Sequence, residues 1–546
     1  LRSRLRRKRE FAPPSSLESA DVAEMRRYFS AVVCLATCLS VSAAAETAPE
    51  GTGRFESWLR RVAAEYVHSL PHKDTGEDGH AIPDVRVAKA MGSRGYGKLR
   101  LSVISDGPTQ DVGFEVDYAA PFKYRWEASF DMGSESVSCG AGVFSRMSQD
   151  SEAACLKTCS ANEECRYFSW TPDEQLCQLA SSCDFEVDDA VEATYTKLSQ
   201  NWLYSGVVDA QAGLNNYTVQ GHGITVNLPE EDGPVSGIIW SDPCFSERWV
   251  TCLFGEDWDT YRRSVEMLNT LAEDPSWHFF QILGDNFYDQ DSRITKKFFD
   301  GISLKAKSKL LYAVAGNHDI WVCGAPDCGD QYDQAGIGMM QYYAQDPIGG
   351  FLNFSVDPDQ SEDWGALNNN PRNLFWYHKL GNVGMIGYSG GATWEESKPD
   401  FQEACRFMAE EKADYVLLLG HWNGPGDGCA VDMTVPAVYK EISALPGCDK
   451  LGDRLKAFDG HTHCNHVQAS GHAEEVIFMI GGHGMLGCSQ YGFAYLESEK
   501  NALRVYYFEE RTSEADNYEK IRSCIQEKGV AQCTHLATLW VDSTIG

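Results

Sequence analysis

The chain has 546 residues, of which 43% are hydrophobic and 14 are Trp, enough to bury a sizeable core in more than one domain and to exclude global disorder. Its formal net charge of −32 repels nucleic-acid phosphates and anionic lipid, which excludes both as general partners.

Residues 1–24 read as an upstream basic segment. From Met25 the chain runs through Arg26-Arg27 and an apolar stretch, Tyr28 to Val41, to Ser42-Ala43-Ala44-Ala45. Basic residues, a short apolar run and a small-residue cleavage site predict a secretory signal peptide over residues 25–45, too short to span a bilayer. No later run reads as a transmembrane anchor, and the C-terminus lacks the apolar tail of a lipid-anchor signal. The expectation is a secreted protein, or one held in a lysosome- or vacuole-like compartment. Cysteine use agrees: of 19 Cys, Cys34 and Cys38 leave with the signal and an odd set remains for an oxidising environment. Asn216-Tyr217-Thr218 and Asn353-Phe354-Ser355 are glycosylation acceptors, at Asn216 and Asn353.

An amphipathic helix is expected from Phe55 to Leu70, followed by a polar linker. Short β-like runs fill residues 81–135, among them Lys98 to Ile104, and the same texture resumes over 198–230 from Trp202 to Leu228. These halves read as one small antiparallel β domain interrupted by an insertion. The insertion, residues 136–197, is cysteine-dense, with Cys139, Cys155, Cys159, Cys165, Cys177 and Cys183. Without a His among them, these predict a disulfide framework rather than a zinc site.

Over residues 235–510 strand-like and helix-like runs alternate, and each strand-like run ends in a ligand-type side chain. Ile238-Ile239-Trp240-Ser241 precedes Asp242, and a helical stretch follows from Trp258 to Leu271. Phe279 to Leu283 leads into Gly284-Asp285-Asn286-Phe287-Tyr288, and Leu310 to Ala315 into Gly316-Asn317-His318-Asp319. Tyr415 to Leu419 leads into Gly420-His421, Leu455 to Phe458 into Asp459-Gly460-His461-Thr462-His463, and Val476 to Ile480 into Gly481-Gly482-His483. Such repetition predicts an α/β domain with side chains gathered at the carboxyl edge of its strands. Residues 321–373 read as a long insertion over the same edge. Residues 511–546 read as a helical tail, helical over 513–528, which Cys524 and Cys533 could staple.

Carboxylates, an amide oxygen and imidazoles suit iron, zinc or manganese. Asp242, Asp285, Tyr288, Asn317, His421, His461 and His463 are too many for one tetrahedral zinc. A carboxylate shared between two ions accounts for the surplus, and such a pair, roughly 3.5–4 Å apart, clamps an in-line displacement at phosphorus.

In this order the motifs Gly-Asp-Asn-Phe-Tyr, Gly-Asn-His-Asp, Gly-His and Gly-His-Thr-His resemble the calcineurin-like metallophosphoesterases. Tyr288, three residues after Asp285, resembles the purple acid phosphatases, especially the small tartrate-resistant type. The resemblance implies that Asp242, Asp285, Tyr288 and His463 hold a ferric ion. It implies that Asp285 as bridge, Asn317, His421 and His461 hold a second ion, Fe(II), Zn or Mn. His318 would face the substrate phosphate as the catalytic residue, and a metal-bound hydroxide would attack phosphorus. The first motif departs from the pattern: where purple phosphatases have Asp-x-Gly, this chain has Asp242-Pro243-Cys244. Cys244 is either a thiolate ligand or the disulfide partner of Cys252. Separately, the cysteine spacing of residues 136–197 resembles the PAN/apple module, which implies a protein or carbohydrate ligand; a disulfide-stapled spacer is the plainer reading.

The expected fold class is therefore multidomain: an α/β metallophosphoesterase domain, with mixed sheets flanked by helices, preceded by a small antiparallel β domain carrying a disulfide-rich PAN/apple-like insertion. The expected function is a secreted two-metal acid phosphatase acting on phosphate monoesters. The rivals are a phosphodiesterase or nucleotide pyrophosphatase on the same scaffold, and an adhesion or recognition protein with an incidental esterase. No residue is assigned to substrate binding.

Overall fold

The structure, a computed structural model, describes residues 83–90, 96–105, 111–121, 126–129, 137–139, 142–151, 154–155, 158–159, 162, 164–165, 167–182, 185–187, 193–197, 202–243, 258–286, 293–319, 343, 375–421, 433–469, 476–479 and 490–544. The signal peptide, the Phe55–Leu70 helix, Cys244, Cys252, Tyr288, Asn353 and all of the 321–373 insertion except Tyr343 lie outside the described residues.

The described residues open with β1 (Asp84–Lys89), β2 (Lys98–Ser105) and β3 (Tyr118–Pro121). β4 (Trp126–Ser129), which lies before the expected start of the insertion at 136 but pairs with its β10, is followed by β5 (Val137–Cys139), β6 (Val143–Ser148), β7 (Tyr167–Thr171), β8 (Leu176–Ala180), β9 (Phe185–Val187) and β10 (Ala193–Lys197). Among the described residues these form a five-stranded antiparallel sheet, β4-β10-β7-β8-β6, and a β5–β9 pair. So small a core, Phe168, Trp170 and Leu179, cannot stand alone, and disulfides supply the rest. Cys155 bonds Cys177, Cys159 bonds Cys165, and Cys139 is disulfide-bonded too, in line with the expected framework.

Beyond the insertion come β11 (Trp202–Asp209) and the hairpin β12 (Gly213–Val219) and β13 (His222–Leu228). Then follow β14 (Ser236–Trp240), α1 (Thr260–Ala272), β15 (Phe279–Leu283), α2 (Arg293–Gly301), α3 (Leu304–Lys307) and β16 (Leu310–Val314). In α1, Tyr261, Val265, Leu268 and Ala272 recur on one buried face at helical spacing. β15 and β16 are buried at every position, which is why they read as unbroken apolar runs: parallel strands covered on both faces show no alternation.

The expected separate β domain differs from what is seen. Its segments are strands, but β1, β2, β11 and β3 close no sheet of their own. They continue a ten-stranded sheet, counted among the described residues, in the order β25-β24-β23-β14-β15-β16-β1-β2-β11-β3. β1 runs parallel to β16, and β2, β11 and β3 then add antiparallel. The reason is burial: every residue of β1 is buried, so it needs a neighbour on each side and a cover on each face. β23 (Gln490–Glu499), β24 (Ala502–Thr512) and β25 (Thr538–Thr544) extend the other side antiparallel from β14.

The second sheet is β17-β18-β19-β20-β22-β21: β17 (Trp376–Leu380), β18 (Val383–Gly387), β19 (Tyr415–Gly420), β20 (Leu455–Asp459), β21 (His466–Ala469) and β22 (Val476–Met479). β18, β19, β20 and β22 are parallel. Val85, Val87, Phe279, Leu310 and Tyr312 of the first sheet share one core with Leu380, Val383, Met385, Leu417 and Phe458 of the second, so the two sheets pack face to face. Each such side chain contributes about 1.5–3 kcal/mol of burial. The far face of the second sheet is covered by α4 (Trp394–Glu410) and α5 (Val435–Ser443). Thr393 and Glu396 close a reciprocal capping box that starts α4, and Cys405–Cys448 ties α4 to the turns after α5. The C-terminal region holds the expected helix, α6 (Tyr518–Lys528), stapled by Cys524–Cys533, but it ends in a strand rather than a helical tail. Its Thr538–Thr544 segment pairs with β24 and buries only alternate residues at its end. No helix among the described residues is long and apolar enough to cross a membrane.

Candidate metal centre

Five strands, β14, β15, β16, β19 and β20, end at one rim where the carboxyl edges of the two sheets meet. Asp242 follows β14, Asp285 follows β15, Asn317 begins a 3-10 turn (Asn317–Asp319) after β16, His421 follows β19, and His461 and His463 follow β20. Asp242, Asp285 and His421 are buried; Asn317, His461 and His463 are half-buried.

The ligand atoms fall into two groups that share one residue. Those of Asp285, His421 and His461 all lie within 4.8 Å of one another, as do those of Asp242, Asp285 and His463. His421 Nε2 is 3.4 Å from Asp285 Oδ1, and His463 Nε2 is 3.2 Å from Asp242 Oδ1. Asn317 Oδ1 stands 3.1 Å from His461 Nδ1, which places the amide beside the first group. A buried cluster this rich in carboxylates and imidazoles is costly without a cation between them, and the donor set fits a pair of divalent or trivalent ions.

Backbone geometry supports the same reading. Asp242, Asp285, His461 and His463 all have left-handed φ, 45°, 46°, 74° and 55°, a conformation that costs a non-glycine residue free energy and concentrates at functional sites. The glycines beside them make room. A Cβ on Gly316 would lie 2.3 Å from both Asp285 N and Oδ1 and 2.9 Å from His421 Nε2. One on Gly460 would lie 2.3 Å from Ser241 Oγ and 2.5 Å from His421 Nδ1.

Hydrogen bonds aim the ligands. The Leu283 carbonyl can only accept, so His421 Nδ1, 2.6 Å away, carries the proton and Nε2 is turned to the carboxylates. His461 N donates to Asp242 Oδ2 at 3.0 Å, while Ser241 Oγ bonds the same Oδ2. Burial alone would lower the His421 imidazole, but the carboxylates of Asp285 and Asp242 outweigh it and raise it to about 10. Burial likewise opposes, and the bond to Asp242 outweighs it, at His463, which is raised.

Of the other expected site residues, His318 has its backbone in the 3-10 turn but its side chain lies outside the described residues, as do those of His466, His472 and His483. Asn216 is exposed on β12 and accepts a bond from Thr225 Oγ1 at 2.8 Å. Four residues of the rim were not singled out by sequence. Asp319 and Asn286 are buried and bonded to each other, and the buried Tyr388 hydroxyl donates to Asp459 Oδ2 at 3.3 Å. Burial, and next the charge of Asp285, push Asp319 up to about 7, and burial raises Asp459 well above the usual carboxylate range. Asp319, Asn286 and Asp459 sit inside the motifs already read; Tyr388, at the end of β18, carries no sequence signal.

Residues 239–465 match the calcineurin-like phosphoesterase family and residues 133–204 match the PAN domain. No curated protein matches the chain. Similar solved structures include a purple acid phosphatase from yellow lupin (Lupinus luteus) seeds, 12% identical, covering 85% of this chain and 74% of that one with a TM-score of 0.41. They also include PhoD, 10% identical over 78% and 85% with a TM-score of 0.36. A 5'-nucleotidase precursor from Thermus thermophilus is 14% identical over 55% and 59%, with a TM-score of 0.29. The chain is thus a multidomain α/β protein with a calcineurin-like phosphoesterase domain and, N-terminal to it, a PAN domain.

Proposed function

We propose that this protein is an exported two-metal acid phosphatase that hydrolyses phosphate monoesters. The observation that carries the proposal is the membership of Asp285 in both ligand groups, the arrangement a bridging carboxylate requires. Asp242, Asp285, Tyr288 and His463 are assigned to a ferric ion. Asp285, Asn317, His421 and His461 are assigned to Fe(II), Zn or Mn. When bound, the ions supply Lewis acidity toward the phosphoryl oxygens and lower the pKa of a water.

The protein's own residues do the positioning. The Leu283 carbonyl fixes the His421 tautomer, and the backbone N–H of His461 holds the Asp242 carboxylate. His318, next to Asn317, is assigned delivery of a proton to the leaving oxygen and stabilisation of the transition state. Disulfides and the PAN domain support an extracellular setting, with glycans at Asn216 and Asn353 and a protein or carbohydrate ligand on the PAN module. The test is metal analysis and visible absorption of the purified protein beside a panel of chromogenic monoesters and diesters. Two metal equivalents with preferential monoester hydrolysis are expected, and a visible band marks Tyr288 on ferric iron. Diester preference would move the assignment to a phosphodiesterase, and a metal-free, inactive protein would overturn it.

A further inference from the structure

Asp319 receives three hydrogen bonds from two different loops. Asn286 N donates to Oδ1 at 2.9 Å, Asn286 Nδ2 donates to Oδ2 at 2.6 Å, and Gly316 N donates to Oδ2 at 2.8 Å. The second Nδ2 proton of Asn286 goes to the Val314 carbonyl at 3.1 Å, the last residue of β16. Asn286 directly follows Asp285, and Gly316 directly precedes Asn317. One buried carboxylate therefore joins the loop after β15 to the loop after β16, with the shared carboxylate on one side and the amide on the other.

These bonds lie in the interior: Asp319 is 3% exposed and Asn286 is fully buried. The two loops are also in direct contact, because a Cβ on Gly316 would strike the backbone nitrogen and Oδ1 of Asp285. Acceptance of three N–H groups from two loops by one buried carboxyl group is a directional constraint. Neither Asp319 nor Asn286 belongs to either ligand group.

We infer that Asp319, working through Asn286 and Gly316, is a positioning residue that sets the separation of Asp285 from Asn317 and so the affinity for the ion these two share. This rests on the two-metal reading above. Outer-shell partners of metal ligands are worth about 10–100-fold in metal affinity or activity. Asp319→Asn keeps the size but replaces an acceptor oxygen with an N–H that faces donors. Asn286→Ala removes the side-chain half of the latch and leaves the backbone half.

The experiment titrates the metal-stripped full chain with zinc and follows both ion equivalents by metal analysis, then measures kcat and KM on a chromogenic monoester. In Asp319→Asn one equivalent is expected to weaken by about 10–100-fold while the other is retained. kcat falls over the same range with KM changed less than about threefold, and excess zinc recovers part of the loss. Asn286→Ala shifts the same equivalent by less, and Asp319→Glu recovers part of the affinity. Both equivalents bound as in the parent, or both lost together with the fold in Asp319→Asn and Asn286→Ala alike, overturns the positioning role. A parent that binds no ion pair overturns the two-metal reading and this inference with it, so the two failures are told apart in the parent.

Discussion

His463 Nε2 stands 3.2 Å from Asp242 Oδ1, although the two residues follow strands of different sheets. Both hold left-handed φ, and the same Asp242 carboxylate also accepts the backbone N–H of His461. The first-sheet loop and the second-sheet loop thus meet at a single carboxylate, and the ligand groups can be dissected one at a time.

His463→Ala removes a member of the Asp242 group, and His421→Ala a member of the His461 group. Each is expected to lower metal content from two equivalents toward one and to reduce activity by about 10²–10³-fold, as removal of an electrostatic stabiliser does elsewhere. Metal analysis of each variant under identical loading checks this, and full retention of both ions in either would contradict the assignment.

Gly316→Ala inserts a methyl where Asp285 N and Oδ1 lie 2.3 Å away. The shared carboxylate must move, so both ions are expected to weaken together. Displacement of this kind costs on the order of 10²-fold in rate, with about 1–3 kcal/mol of overpacking destabilisation. Steady-state kinetics and urea unfolding measure the two effects separately.

Asp84 tests the base of the sheet rather than its rim. Burial opposes its ionisation, yet Arg86, 2.5 Å away, and Lys307, 3.7 Å away, outweigh burial and hold it at about 2, below the ordinary 3.8. A depressed carboxylate contributes stability above its unfolded pKa and loses it as pH falls from 3.8 through 2. The contribution is about 2 kcal/mol and is complete at pH near 5. Asp84→Asn should flatten unfolding free energy across that acid window. At neutral pH it should cost about 3–5 kcal/mol, because Arg86 and Lys307 both lose the buried Asp84 carboxylate they face. Denaturant titrations at a series of pH values give both numbers.

Cys405–Cys448 spans 43 positions and lies on the far face of the second sheet from the shared core. Replacing both with Ala is expected to remove about 2–4 kcal/mol of stability. Metal stoichiometry should not change, because neither residue touches the rim. Urea unfolding beside metal analysis checks the separation.

The rim was legible because parallel strands buried on both faces appear as unbroken apolar runs, and the next residues then stand where the sheet ends. That logic pointed to Asp242, Asp285, Asn317, His421, His461 and His463, which the structure brings to one rim. It could not find the partner of β1, because the pairing of Val87 with Leu310 is set by which open edge the folded sheet offers, not by anything near Val87. Tyr388 and Asp459 escaped for a related reason: their bond exists only after β18 and β20 pack around β19. Cysteine spacing pointed to disulfides, yet Cys405 with Cys448 follows from helix placement alone.

The position of β1 bears on how the chain assembles during synthesis. β1 and β2 leave the ribosome long before β16 exists, and they pair with each other while the side meant for β16 stays bare. The cysteine-rich module can close on its own disulfides in the interval, but the nascent hairpin carries an open edge with apolar faces, a template for wrong pairing. That edge needs cover until Leu310 arrives. A fragment cut to begin at residue 235 would have the opposite defect, leaving the β16 edge bare in the finished domain.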